Sequence, residues 1–164
     1  MTNVWGGARS WPAAAISLFD ELAAKPGRIC LLTGEGNATF TVARALADAG
    51  KASLTRLGAW LTEGTEAPKI PETWQPERKR AILLDLDVLF WPALTVDPVA
   101  LLRLYSKRHP IVAVWPGDIP EGVARYSEPG RTDHFSRKLE DAVILGARST
   151  AYPDEVPYEI ERVA

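Results

Sequence analysis

Apolar residues along this 164-residue chain follow two alternating patterns. Ile29 to Leu32, Ala81 to Leu84, Ile111 to Trp115 and Ala142 to Leu145 are short unbroken runs, as expected of strands covered on both faces. Ser53 to Leu57 reads as a shorter strand of the same kind. Between these runs, apolar residues recur at helical spacing. Ile16, Phe19, Leu22 and Ala23 mark one face of a helix that Ser10-Trp11-Pro12 opens and Pro26-Gly27 ends. Val42, Ala45, Leu46 and Ala49 mark a second helix, with Gly50 as its C-terminal cap. Val99, Leu102 and Tyr105 mark a third, where Asp97-Pro98 supplies an N-cap and a proline at the first helical position. Buried runs alternating with helical patterns predict a three-layer α/β domain with a mainly parallel sheet.

Three stretches break the alternation. Thr62 to Arg80 contains Pro68, Pro71 and Pro76 among charges and reads as a long connection, with Trp74 anchoring it to the body. Gly58 to Leu61 reads as a helical turn. Tyr126 to Lys138 mixes aromatic and basic residues and reads as a solvated loop pinned by Tyr126 and Phe135. The single domain spans 1–164, its core runs from about 10 to 146, and 147–164 reads as a tail.

The candidate chemistry lies after the first strand. Gly34-Glu35-Gly36-Asn37-Ala38-Thr39-Phe40-Thr41 stands between a strand and a helix, as a P-loop does, and the P-loop pattern is G-x-x-x-x-G-K-[ST]. Gly34 falls on the first glycine and Thr41 on the hydroxyl. Thr39 replaces the second glycine and Phe40 replaces the lysine that grips the terminal phosphates. Ala81-Ile82-Leu83-Leu84-Asp85 has the form of a Walker B strand, whose acid holds magnesium, and Asp87 is a second carboxylate close by. Together these motifs indicate a P-loop NTPase-like domain of the AAA type. Gly34, Gly36, Thr41, Asp85 and Asp87 would be its nucleotide and magnesium site, reduced to a vestige. Without the lysine, Asp85 and Asp87 are expected to have less positive charge around them and no bound metal. No catalytic residue and no bound cofactor are expected, although ATP with magnesium remains an alternative. Trp115-Pro116-Gly117-Asp118 occupies the position of a sensor residue and reads as a turn. Arg125, Arg131 and Arg137 are the candidates for an arginine finger.

Composition narrows the partners. A formal net charge of −2 gives no whole-chain case for a polyanion, but Arg78-Lys79-Arg80 and Lys107-Arg108-His109 are local basic clusters. Cys30 is the only cysteine, which rules out an intrachain disulfide and reads as an inert buried side chain. His109 and His134 lack the company that a metal site needs. No apolar stretch approaches the ~18 residues of a membrane span, and the first ten residues lack a signal core, so a cytoplasmic location is expected.

Several segments in order also resemble a known family. These are Leu84-Asp85-Leu86-Asp87-Val88-Leu89-Phe90-Trp91-Pro92-Ala93-Leu94 with Asp97-Pro98, then Ile111 to Gly117, then Tyr126-Ser127-Glu128-Pro129-Gly130. They resemble BrxF, the small P-loop protein of type 3 BREX phage-defence systems, over roughly Arg28 to Gly146. The resemblance implies an ATP-binding P-loop protein encoded beside a large AAA+ ATPase, a DNA methyltransferase, a helicase and a phosphatase-like protein. The chain departs from that pattern at Thr39 and Phe40. The expected role is therefore a non-catalytic or weakly nucleotide-binding subunit that assembles with other defence proteins, an AAA+ ATPase among them, or with copies of itself. Trp5, Trp74 and Trp91 are interface candidates if they face solvent. Two alternatives stand beside it. One is an atypical ATPase or nucleotide switch whose cation comes from a partner. The other is a DNA-contacting module using Arg78 to Arg80 and Arg131 to Lys138.

Overall fold

A computed structural model of the protein describes residues 4–5, 11–34, 36–59, 70, 74–149 and 158–163. Three α-helices are described from end to end: α1 (Trp11–Ala24), α2 (Gly36–Gly50) and α3 (Pro98–Ser106). The strands are β1 (Val4–Trp5), β2 (Cys30–Gly34), β3 (Ser53–Arg56), β4 (Ala81–Leu84), β5 (Ile111–Val114), β6 (Val123–Tyr126), β7 (Phe135–Lys138), β8 (Val143–Ser149) and β9 (Tyr158–Arg162). Seven of them form one sheet in the order β1-β9-β8-β2-β5-β4-β3. Strands β8, β2, β5, β4 and β3 run parallel, and β9 and β1 add antiparallel strands at one side. The β6–β7 hairpin forms a separate two-stranded sheet.

Successive residues of a strand point to opposite faces, so a strand apolar throughout is covered twice. In β2, Cys30 and Leu32 pack with α1 and α2, through Ala15, Leu18, Phe19, Leu22, Val42 and Leu46. Leu31 points the other way, into a cluster with Leu83, Ala113, α3 and the aromatic residues Phe90 and Trp115. The sheet is thus the middle of three layers. Burial pushes the Cys30 thiol up to about 12, in keeping with an inert side chain. No helix of the described residues is long and apolar enough to cross a membrane.

The Asp97 N-cap is present. Its Oδ1 accepts hydrogen bonds from the backbone N–H groups of Val99 and Ala100, both at 3.1 Å. Trp74 packs its ring against Tyr105, with centroids 5.5 Å apart. Of the long connection, only residues 70 and 74–80 are described; of the helical turn expected over Gly58 to Leu61, Gly58 and Ala59 begin a helix and the rest lies outside the described residues.

The structure departs from the sequence pattern in four places. On α1 the buried stripe is Ala15, Leu18, Phe19 and Leu22, whereas Ile16 and Ala23 are exposed. The segment from Tyr126 to Lys138 is not simply a loop, because its two ends pair as β6 and β7. Tyr126 and Phe135 do pin it: the Tyr126 ring stacks on Phe90 at 4.0 Å, and Phe135 meets Phe90 at 5.5 Å. The tail contributes β9, whose Ile160 is fully buried, and β8 continues to Ser149 beyond the expected end of the core. Helix α2 begins at Gly36, six residues before the start expected from its apolar stripe. Ala38, buried one turn ahead of Val42, extends that stripe upstream.

Candidate functional site

The carboxyl ends of the parallel strands gather the residues singled out above. Gly34 closes β2 opposite Ala147 of β8. A Cβ at Gly34 would lie 2.6 Å from the Ala147 carbonyl oxygen and 3.1 Å from the Thr39 methyl group, so only glycine fits. Two positions later α2 begins, and Ala38 to Thr41 are all helical. The positions that form an open, phosphate-wrapping loop in a P-loop are here the first turns of a helix. The positive end of that helix's dipole still faces this edge. Glu35 lies outside the described residues, as does the side chain of Asn37.

Phe40 does not fill the loop. Its ring is 40% exposed, and the guanidinium of Arg56 stands 5.2 Å from the ring centroid. Arg56 ends β3, and its Nη1 donates to Asp85 Oδ1 at 3.1 Å and to Oδ2 at 3.5 Å. Asp85 follows β4 in a left-handed conformation, φ 61° and ψ 39°, a strained backbone for a residue with a side chain. Gly58 makes room for it: a Cβ there would come within 3.3 Å of Asp85 Oδ2. One cation therefore links Phe40, which stands where a P-loop has its lysine, to the Walker B-like acid. This corrects the expectation of reduced positive charge around Asp85. Thr41 and Asp87 are both exposed; neither side chain is drawn into the Arg56 pairing. Burial chiefly, with the nearby charge of Asp87, raises the Tyr126 hydroxyl above its ordinary value.

The strand end after β5 is locked as a turn, as expected. Trp115 Nε1 donates to the Arg125 carbonyl at 2.9 Å, and Thr33 Oγ1 donates to the Gly117 carbonyl at 3.3 Å. A Cβ at Gly117 would overlap the Arg125 carbonyl oxygen at 1.8 Å. The arginine-finger candidates are engaged within the chain: Arg125 pairs with Asp118, Arg131 with Asp133, and Arg137 with Asp97. Among the described residues no group of histidine, cysteine and carboxylate side chains could hold a metal ion.

The structure thus brings Gly34, the α2 N-terminus, Arg56 and Asp85 to one edge. Arg56 was not singled out in the sequence. The available signal was its place at the end of a strand that runs toward the same edge as Gly34 and Asp85.

The fold and this edge define an α/β protein with a five-stranded parallel core. Beyond that class, no protein-family model matches the chain, and no curated protein or solved structure matches it.

Proposed function

We propose that this chain is a degenerate P-loop domain of the AAA type that hydrolyses no nucleotide and acts as an assembly subunit of a BREX-type phage-defence complex. The observation that carries the non-catalytic half is the Phe40–Arg56–Asp85 contact. The lysine position holds an aromatic ring, and the acid that would face magnesium faces a guanidinium. The strand order supports the P-loop reading. Glycine-ended β2 and acid-ended β4 flank β5, which sets their carboxyl ends about 10 Å apart at one edge. The assembly half rests on the motif resemblance and on an exposed apolar patch. Trp91 is 49% exposed beside exposed Pro92 and Ala93, as suits an interface anchor. Trp74 is partly buried, and the Trp5 side chain lies outside the described residues.

Calorimetric titration with ATP and magnesium tests the first half, and negligible heat is expected. Tight binding that is lost in a Thr41→Ala, Asp85→Ala double variant would overturn it. Co-purification with the AAA+ ATPase of a type 3 BREX system tests the second half. Association that Trp91→Ala weakens is the expected result, and no association would refute it.

Arg56 favours a second reading, the nucleotide switch. In that reading the missing cation comes from β3 of the same chain instead of from a partner, once Arg56 leaves Asp85. The same titration decides between them, because the switch predicts ATP binding that Arg56→Gln abolishes.

A further inference from the structure

The opposite edge of the sheet, where the strands begin, carries a feature that the proposed function leaves unused. Parallel pairing aligns Ala81 of β4 with Ile111 of β5, and Ser53 of β3 with Ala81. The turns leading into these strands are therefore neighbours, although they are far apart in sequence. They carry Lys51 before β3, Arg78, Lys79 and Arg80 before β4, and Lys107, Arg108 and His109 before β5. The backbone ties them together: Ala81 N–H donates to the Pro110 carbonyl, Ser53 N–H to the Arg80 carbonyl, and Arg78 N–H to Ser53 Oγ.

Six lysines and arginines thus line three adjacent turns of a chain whose net charge is −2. Among the described residues the carboxylates next to these turns are Asp20, Asp48 and Glu77, and Asp20 is taken by Arg80 at 3.0 Å. Arg78, Lys79, Lys107 and Arg108 are exposed, and none of them forms an ion pair among the described residues. Three helices end at this edge, and their C-terminal carbonyls attract part of this charge. That does not account for Arg78 and Lys79, which follow directly on the non-helical residues 74–76.

Beside these cations lies an open hollow of about 330 Å³, lined among the described residues by Trp74, Gln75, Arg108 and His109. Trp74 is held at the hollow by Tyr105. An aromatic face, a guanidinium and two polar side chains beside a row of cations match the chemistry of an unpaired base with its phosphate backbone. A duplex keeps its bases stacked inside and would not use the hollow. We infer that this edge binds single-stranded nucleic acid, the phosphates lying along Arg78, Lys79, Lys107 and Arg108 and a base entering the Trp74 hollow. The inference is independent of the nucleotide edge, so it stands or falls apart from the proposed function.

The test is fluorescence anisotropy with a labelled oligothymidylate of about 16 nucleotides, at the upper end of single-strand site sizes. Four phosphate contacts predict a log–log salt slope of about −3, or binding roughly fifty-fold weaker on going from about 50 to 200 mM salt. Replacing Arg78, Lys79, Lys107 and Arg108 with alanine should weaken binding at least tenfold with an unchanged circular dichroism spectrum, since all four are exposed. Arg131→Ala with Lys138→Ala, in the β6–β7 hairpin, should leave binding unchanged. The wild-type protein should bind an abasic strand of equal length, and a duplex, more weakly. No binding at low salt, equal affinity for the abasic strand, tighter binding to the duplex, or preferential capture by phosphatidylserine vesicles would each overturn the inference.

Discussion

Removing the Glu21 carboxylate should loosen the C-terminal strand before anything else. Glu21 lies on α1 and accepts from both Nη atoms of Arg162 on β9, at 2.8 and 2.7 Å. It also accepts from Arg28 Nη1, at 2.9 Å, ahead of β2. One carboxylate thus ties a helix to two strands. Hydrogen bonds to a charged group contribute about 1.5–3 kcal/mol each, but a fully exposed ion pair contributes only about 0–1 kcal/mol. The Glu21 side chain is 35% exposed and its arginines are 24% and 19% exposed, so water screens much of the gain. We take about 2 kcal/mol for Glu21→Ala, a fall in Tm of roughly 4–8 °C for a protein of this size. The hydrogen bond from Arg162 holds the Glu21 carboxyl below its ordinary value, with partial burial opposing it and Arg28 assisting. A depressed folded value means that the stabilisation is complete above the unfolded value, about 4.3, and is lost as pH falls through the folded one. Thermal melts across that range should converge for wild type and Glu21→Gln at the acid end. Hydrogen exchange should show β9 amides gaining protection losses that β4 amides do not share. A Tm change under about 1 °C, or equal loss of protection in β4 and β9, would refute the reasoning.

Three further outcomes follow from the structure. Asp97→Ala removes both the α3 cap and the Arg137 partner and should cost about 1–2 kcal/mol in denaturant melts, whereas Asp97→Asn keeps the cap and should cost under about 1 kcal/mol. Gly117→Ala places a methyl group against the Arg125 carbonyl and should destabilise by about 1–3 kcal/mol or more; an unchanged unfolding midpoint would show that the turn after β5 is looser than described. Phe40→Lys restores the motif's cation but not its loop, because α2 already begins at Gly36; calorimetry should still detect no ATP binding, and recovered affinity would show that the missing lysine alone, and not the early start of α2, prevents binding.

The sheet was largely legible in the sequence because its parallel strands are apolar on both faces. Ala81 to Leu84 and Ile111 to Val114 are buried along nearly their whole length, and no helical pattern competes with such runs. The strands that went unread carry no such run: β7 reads Phe-Ser-Arg-Lys with only Phe135 half-buried, and β9 places its buried Ile160 between charged neighbours in the sequence. Their pairing is settled by the strand each one faces, β6 for β7 and β8 for β9, which the periodicity of a single segment does not register. The candidate site was half legible. Gly34 and Asp85 lay in motifs, and the structure places both at one edge. Arg56 lay in no motif, because its meaning comes from the register of β3 on β4. The beginning of α2 was misread because a strand–glycine–helix pattern does not distinguish a wrapped loop from an early helical turn.

The central position of β2 has a consequence for the nascent chain. Its neighbours in the sheet are β5 and β8, and about 110 residues separate β2 from β8. At translation rates of about 5–20 residues per second, β2 waits roughly 5–20 s after synthesis for its last neighbour. During that interval an almost wholly apolar strand has a bare edge, beside helices with little yet to cover. Pairings so distant also raise the contact order and slow folding. Shielding of β2 on the ribosome until β8 has been made would therefore favour folding over mispairing at that edge.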